Sequence, residues 1–317
     1  MFEGLIGGFY ECLQPLNLVL LFLGTFLGLL VGALPGLSSP MAIIILLPVT
    51  YSLDPLPALL VMIGVYVGTK LGGSFAAILL RTPGTPASAC TALDGFPMAE
   101  KGEAGLALGY ATYGSFVGGL SSWIIAVTFI PVISAIALKS SNADIALIGI
   151  MGLVMVSAFT RGSMLKGFIG VCVGILIGCM GMDRVDTIER FTFGSLDLLT
   201  GVPFAAALVG LFGFAVVISD LALMKSKAEI VATKFRIKLP TFRQFFSRWK
   251  AWGTGSFMGA IVGAVPGVGA DGATWLAYGT VKNNSKNPEE FGIGNPDGVI
   301  APETANNGTT GGAMVPM

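Results

Sequence analysis

The sequence predicts an all-α polytopic membrane protein, built as an inverted repeat with broken or re-entrant helices and with its second repeat incomplete. Three observations carry this. Of 317 residues, 54% are hydrophobic and only 11% charged, less than half the charge of an ordinary soluble domain, about 25%. Long apolar runs recur at the ~20-residue length that a hydrocarbon core of ~30 Å demands. And one apolar run, ending "GALPGLSSP" at 32–40, is matched 231 residues later by "GAVPGVGAD" at 263–271.

Residues 16–34 read as the first span. Residues 41–53 are short and contain Pro48, so a half-helix or re-entrant piece is expected. Residues 56–80 read as a span, and 81–105 as a Pro/Gly/Ser/Thr-rich break. Residues 106–138 are long enough for one strongly tilted span or two short ones. Residues 143–160, 163–180 and 199–224 read as three more. The polar stretch 225–250 holds eight of the eighteen basic residues, among them Lys225, Arg236, Arg243, Arg248 and Lys250, against one acid, Glu229. Positive charge marks cytoplasmic loops. The N-terminal residues lack Lys and Arg, which favours an outside N-terminus and two crossings within 106–138; it also argues against a signal peptide. The domain reading is a first transmembrane repeat over 1–224, a basic cytoplasmic linker over 225–252, and the start of a second repeat over 253–317.

The repeat is visible at single-residue level. "FLGLLVGALPGL" (26–37) lies over "FMGAIVGAVPGV" (257–268) with seven of twelve positions identical and the other five apolar in both. A weaker match sets "GTKLGGSFAAI" (68–78) over "GTTGGAMVPM" (308–317). With the basic linker between them the copies would be inverted, the architecture of many secondary transporters. Pro35 and Pro266 lack a backbone N–H, and Gly36 and Gly267 permit close approach and φ > 0. Irregular backbone at membrane depth belongs where it is buried in protein or lines a cavity, so these four residues are candidates for a substrate or ion site. The alternative is that each Pro-Gly ends a span at the interface. Ser38, Ser39, Thr82, Gly84 and Thr85 follow the first break or line the 81–105 segment. Asn306, Asn307 and Thr309 occupy the corresponding part of the second half, beside the lone carboxylate of Glu303. Lys70 lies mid-span, where a charge is costly; it is either a counter-ion to a substrate carboxylate or a side chain that snorkels.

Several function classes drop out. Zero histidine removes most zinc sites and Ser-His-Asp triads. The acids are scattered in loops, so no catalytic pair is expected, nor a resident cofactor or metal. Zero net charge gives no general attraction for nucleic acid. "GVGADG" (267–272) satisfies GxGxxG but lacks a βαβ context. The four cysteines, without CxxC spacing, read as small buried hydrophobes.

Four stretches resemble the large membrane subunit of tripartite tricarboxylate transporters, the TctA family: "GLLVGALPGLSSPMAI" (28–43), "GGSFAAILLRTPGTPASACTALDGFPMAEKGEAG" (72–105), "GAIVGAVPGVGAD" (259–271) and "APETANNGTTGGAMVPM" (301–317). The resemblance runs over essentially the whole chain, and Lys70-Leu71 departs from its usual neutral-then-aromatic pattern. It implies a permease of the bacterial cytoplasmic (inner) membrane, working with a small four-helix membrane subunit and a periplasmic solute-binding protein. Citrate-like carboxylates would be taken up on a cation gradient, Na⁺ or H⁺. The competing reading is a channel or scaffold subunit without coupled transport. The family is longer, so residues 1–317 are expected to be a C-terminally truncated sequence that would not transport alone.

Overall fold

The computed structural model describes residues 2–34, 37–137, 164–183, 188–202, 239–264 and 269–314, with isolated positions between 141 and 218. Pro35, Gly36, Pro266 and Gly267 lie outside the described residues, as do most of the expected spans at 143–160 and 199–224. Among the described residues the architecture is all-α apart from a short hairpin, Gly181–Met182 paired with Glu189–Arg190. The helices in the continuously described segments are α1 (Phe2–Cys12), α2 (Pro15–Gly32), α3 (Ser39–Thr50), α4 (Pro55–Leu80), α5 (Ala92–Glu100), α6 (Ala104–Ala137), α7 (Met164–Gly178), α8 (Phe242–Phe246), α9 (Trp249–Gly263), α10 (Gly269–Asn283) and α11 (Asp297–Met314). Proline stands in the first turn of α2, α3 and α4, where its missing N–H has no helical acceptor to lose and its φ is already helical. Arg81 ends α4 in a left-handed conformation, φ 57°.

Among the described residues, α2 and α4 are long and apolar enough to cross a membrane. Their packing is inside-out relative to a water-soluble helix. On α2, Phe22, Leu23 and Leu30 point outward, while Gly24, Gly28 and Gly32 are buried. Where lipid replaces water, helices gain by close contact rather than by burying oil, and small residues permit it.

Three glycines of α2 meet α4 in register. A Cβ at Gly24 would lie 2.5 Å from the Val61 oxygen, at Gly28 2.7 Å from Val65 Cα, and at Gly32 2.6 Å from Thr69 Cα. Contact numbers rise together, so α2 and α4 run parallel. The segment joining them, which includes α3, therefore returns the chain to the starting end, rather than dipping part-way as its length suggested. The second half repeats the device. Gly255 meets Ala301, Gly259 meets Ala305 and Gly263 meets Thr309. These glycines stand 231 residues after those of α2, and their partners 240 after those on α4. The helix pair α9–α11 thus copies α2–α4 contact for contact, and α10 packs on both of its members as α3 does on α2 and α4.

Between the pairs the direction reverses. Lys70 of α4 meets residues 306–310 of α11, whereas Ser74, one turn later, meets Glu303. So α4 and α11 cross antiparallel. Beside them α6 runs with α11, Gly114 facing Ile300 and Gly118 facing Gly308.

Two expectations need correction. Residues 106–138 do not cross twice: α6 is one continuous 34-residue helix, ~51 Å long at 1.5 Å per residue. Its row of small residues, Gly114, Gly118 and Ser122, follows one face along α11, which rewards continuity over a break. The cysteines are not all buried. Cys90 is, but Cys172 and Cys179 are exposed, because α7 turns Leu165, Phe168 and Leu176 outward as well.

The end of the basic linker is docked on the helices. Tyr113 of α6 stacks on Phe242 at 5.3 Å and meets the edge of Phe245 at 5.6 Å. Arg248, heading α9, binds Asp297 at 2.8 Å. Burial pulls its pKa down, but the hydrogen bond and charge of Asp297 outweigh that, and the net shift is upward.

Candidate functional site

The crossing of α4 and α11 buries two opposite charges that the sequence separates by over two hundred residues. Lys70, 3% exposed, donates to the Asn306 carbonyl at 2.7 Å and to the Thr309 and Thr310 hydroxyls at 3.1 Å each. An ammonium has three protons, and all three are engaged. Its charge also lies 4.5 Å from the centre of the Tyr66 ring, a favourable cation–π placement. Lys70 therefore does not snorkel: its nitrogen is held in the interior by neutral oxygens.

Glu303, fully buried, sits one turn earlier on α11. Ser74 of α4 and Thr91, just ahead of α5, donate to Oε1 at 2.5 Å each, and Ser115 of α6 donates to Oε2 at 3.2 Å. Three hydroxyls from three parts of the chain replace the water a carboxylate would otherwise keep, the condition under which a buried charge is tolerated. No direct ion pair joins Lys70 and Glu303, but their charges interact across the site.

Between and beside these satisfied charges lie unsatisfied groups. Both side-chain polar atoms of Asn306, and Oδ1 of Asn307, are buried without a hydrogen-bond partner, while Asn307 Nδ2 reaches the Glu303 carbonyl at 3.4 Å. Leaving a buried polar group unpaired costs about 1–3 kcal/mol. Residues that carry such a cost at a helix crossing, next to two charges, suit a ligand that supplies the missing partners.

The "PGTPASACTALDGF" stretch folds onto this site. Gly84 packs its backbone against Gly32 and Gly73, and its N–H donates to the Gly73 carbonyl at 3.2 Å. That places buried Thr85 against Gly73, next to Ser74. Asp94, fully buried, accepts three backbone N–H groups, from Gly292, Gly294 and Asn295, at 2.7–2.9 Å, and the Tyr278 hydroxyl at 2.9 Å. This carboxylate ties the first-half break to the loop that starts α11. Asp94→Ala strands those donors and is expected to cost about 2–4 kcal/mol. Amide exchange should accelerate at Gly292, Gly294 and Asn295; unchanged protection there would mean the loop is held by other contacts.

Of the residues singled out from sequence, the structure brings together Lys70, Asn306, Asn307 and Thr309, with Thr85 alongside. Ser38 and Ser39 stand at the start of α3, half-buried and buried, without a side-chain cap hydrogen bond. Thr82 is exposed and Gly84 serves as a close-packing position. Sequence reasoning missed Ser74, Thr91 and Ser115 and undervalued Glu303. The available signal was an acid set among Ala, Thr and Asn in "APETANN", on a stretch too uncharged to be a loop.

Residues 18–317 match the family described as "Tripartite tricarboxylate transporter TctA family". A protein of Agrobacterium vitis described as "Uncharacterized 52.8 kDa protein in TAR-I ttuC' 3'region" is 37% identical over 311 residues, 98% of this chain. The chain spans 62% of that relative's length. A second A. vitis protein, from the "TAR-II ttuC' 3'region", is 42% identical over 59 residues, 19% of this chain and 24% of that protein. No solved structure matches. The family match covers nearly the whole chain and leads to one conclusion: this chain belongs to the TctA family of tripartite tricarboxylate transporters.

Proposed function

We propose that this chain forms the permease part of a binding-protein-dependent secondary transporter that takes up carboxylates of the citrate type across the bacterial inner membrane, driven by a cation gradient. It would act with a small membrane subunit and a periplasmic binding protein, and it carries out no enzymatic reaction. The observation that carries this is the cluster of unpartnered Asn306 and Asn307 amide groups beside Lys70 and Glu303. An amide N–H donates to a carboxylate and an amide oxygen coordinates a cation, so both members of a symport pair find partners there.

The helix directions support an inverted repeat. The pairs α2–α4 and α9–α11 share one packing register and run opposite ways. Arg243, Arg248 and Lys250 precede or open α9, at the end of the molecule away from the start of α2. By the positive-inside rule that end is cytoplasmic, and α2 starts outside. This reading keeps the outside start favoured by the sequence, with the whole segment between α2 and α4 returning the chain and α6 running as a single helix.

The test is uptake of labelled di- and tricarboxylates in cells expressing the full-length protein with its partner subunits, wild type against Asn306→Leu. The variant removes the unpaired polar atoms and keeps the number and branching of side-chain heavy atoms. Uptake is expected to fall at least about tenfold, while the melting temperature of the purified protein holds or rises. Unchanged uptake would move the site away from α11. Wild-type equilibration of substrate without accumulation against its gradient would favour the channel reading.

A further inference from the structure

The groups around the Lys70 nitrogen have the chemistry of a monovalent cation site. They are one main-chain carbonyl, that of Asn306, and two hydroxyl oxygens, those of Thr309 and Thr310, at 2.7–3.1 Å. Thr309 directs its own proton to the Asn306 carbonyl at 2.7 Å, which leaves its lone pairs for the ammonium. The fourth side is the π face of Tyr66. None of the three oxygens carries formal charge, and the nearby carboxylate, Glu303, is held apart by its own hydroxyls. Neutral oxygens converging on a single positive charge are what hard cations select.

We infer that this nest is an alkali-cation site that the chain fills with its own ammonium. Lys70 is a tethered cation: its ammonium balances Glu303 without being able to leave the site, where a dissociable Na⁺ or K⁺ would do so only when bound. The repeat sharpens the point. Lys70 and Thr310 are equivalent positions in the two helix pairs, each following the threonine (Thr69, Thr309) that faces the last glycine of its partner helix. One copy supplies the cation and the other supplies an oxygen that holds it. The consequence is that this protein needs one free cation fewer at the α4–α11 crossing than a form with a short neutral residue at position 70. The inference shares its location with the transport reading, but its test uses no substrate, so either can fail alone.

The experiment is a thermal melt of the purified protein at constant ionic strength, in choline chloride against NaCl and KCl. Wild type is the baseline in all three, since a cation at the transport site would shift wild type and variants alike; recovery is a gain beyond that baseline. Lys70→Ala, which vacates the nest, is expected to melt lower in choline and to recover by about 5 °C, saturably, in NaCl or KCl. Lys70→Met fills the space without charge and is expected to show no recovery in any salt. Adding Thr310→Val to Lys70→Ala should abolish the recovery. The inference falls if Lys70→Ala melts alike in choline and alkali salts. It also falls if the alkali gain of Lys70→Ala does not exceed that of wild type, or if Lys70→Ala folds in no salt while Lys70→Met folds.

Discussion

Gly68→Leu is expected to leave no folded protein. A Cβ at Gly68 would already meet the Thr25 carbonyl oxygen inside van der Waals contact and lie 2.9 Å from the Leu29 nitrogen. Both are backbone atoms and cannot rotate away, so the helices would have to separate. Separation forfeits the whole row of contacts from Gly24 to Gly72, and in lipid nothing hydrophobic pulls the helices back together. The loss should exceed about 4 kcal/mol, the range reserved for severe core defects. Gly259→Leu is expected to behave alike, because it faces Ala305 in the same register on the second pair. Gly170→Leu on α7, whose Cβ would have nothing within 4 Å, is the control and should change stability by less than about 0.5 kcal/mol. Detergent-solubilised protein, assayed by size exclusion and thermal melt, reads all three. A Gly68→Leu protein melting like wild type would mean that other contacts set the α2–α4 spacing.

Lys70→Met and Glu303→Gln should each destabilise strongly, and the double variant by less than their sum. Each single change leaves a buried charge without its opposite, a defect worth about 3–5 kcal/mol. Removing both leaves two neutral side chains: the Gln carbonyl still accepts from hydroxyls, and the Met still fills the space beneath Tyr66. The shortfall from additivity should be about 0.5–3 kcal/mol, measured by denaturation in choline chloride so that no alkali ion compensates. Strict additivity would show that the two charges do not depend on one another, and the balance assigned to Lys70 would be wrong.

The repeat was legible because duplication leaves residue identities at fixed offset. Phe26 and Phe257, Gly28 and Gly259, Gly32 and Gly263 announce it without any knowledge of the fold. What the repeat does is carried by contacts across helices. Gly64, Gly68 and Gly72 on α4 look like ordinary membrane glycines until Leu21, Thr25 and Leu29 are found against them. The single course of α6 was ambiguous for a similar reason. Thirty-four apolar and small residues fit one tilted helix or two short ones, and only the face it lays along α11 chooses between them.

The sequence by itself determined the membrane class, the family, the duplication, and which stretches depart from plain apolar helix, because each of these resides in composition or in short-range pattern. Only the tertiary structure decided which polar residues share a site. Lys70 meets Thr309 and Thr310, Glu303 meets Ser74, Thr91 and Ser115, and Asp94 meets the amides of 292–295. Each partnership joins positions roughly two hundred residues apart, brought together where the first-half helices pack against α11 and the loop before it. A lone lysine or glutamate in an apolar run carries no mark of its partner. The partner is chosen by backbone approach, and that approach is set by glycines elsewhere in the chain.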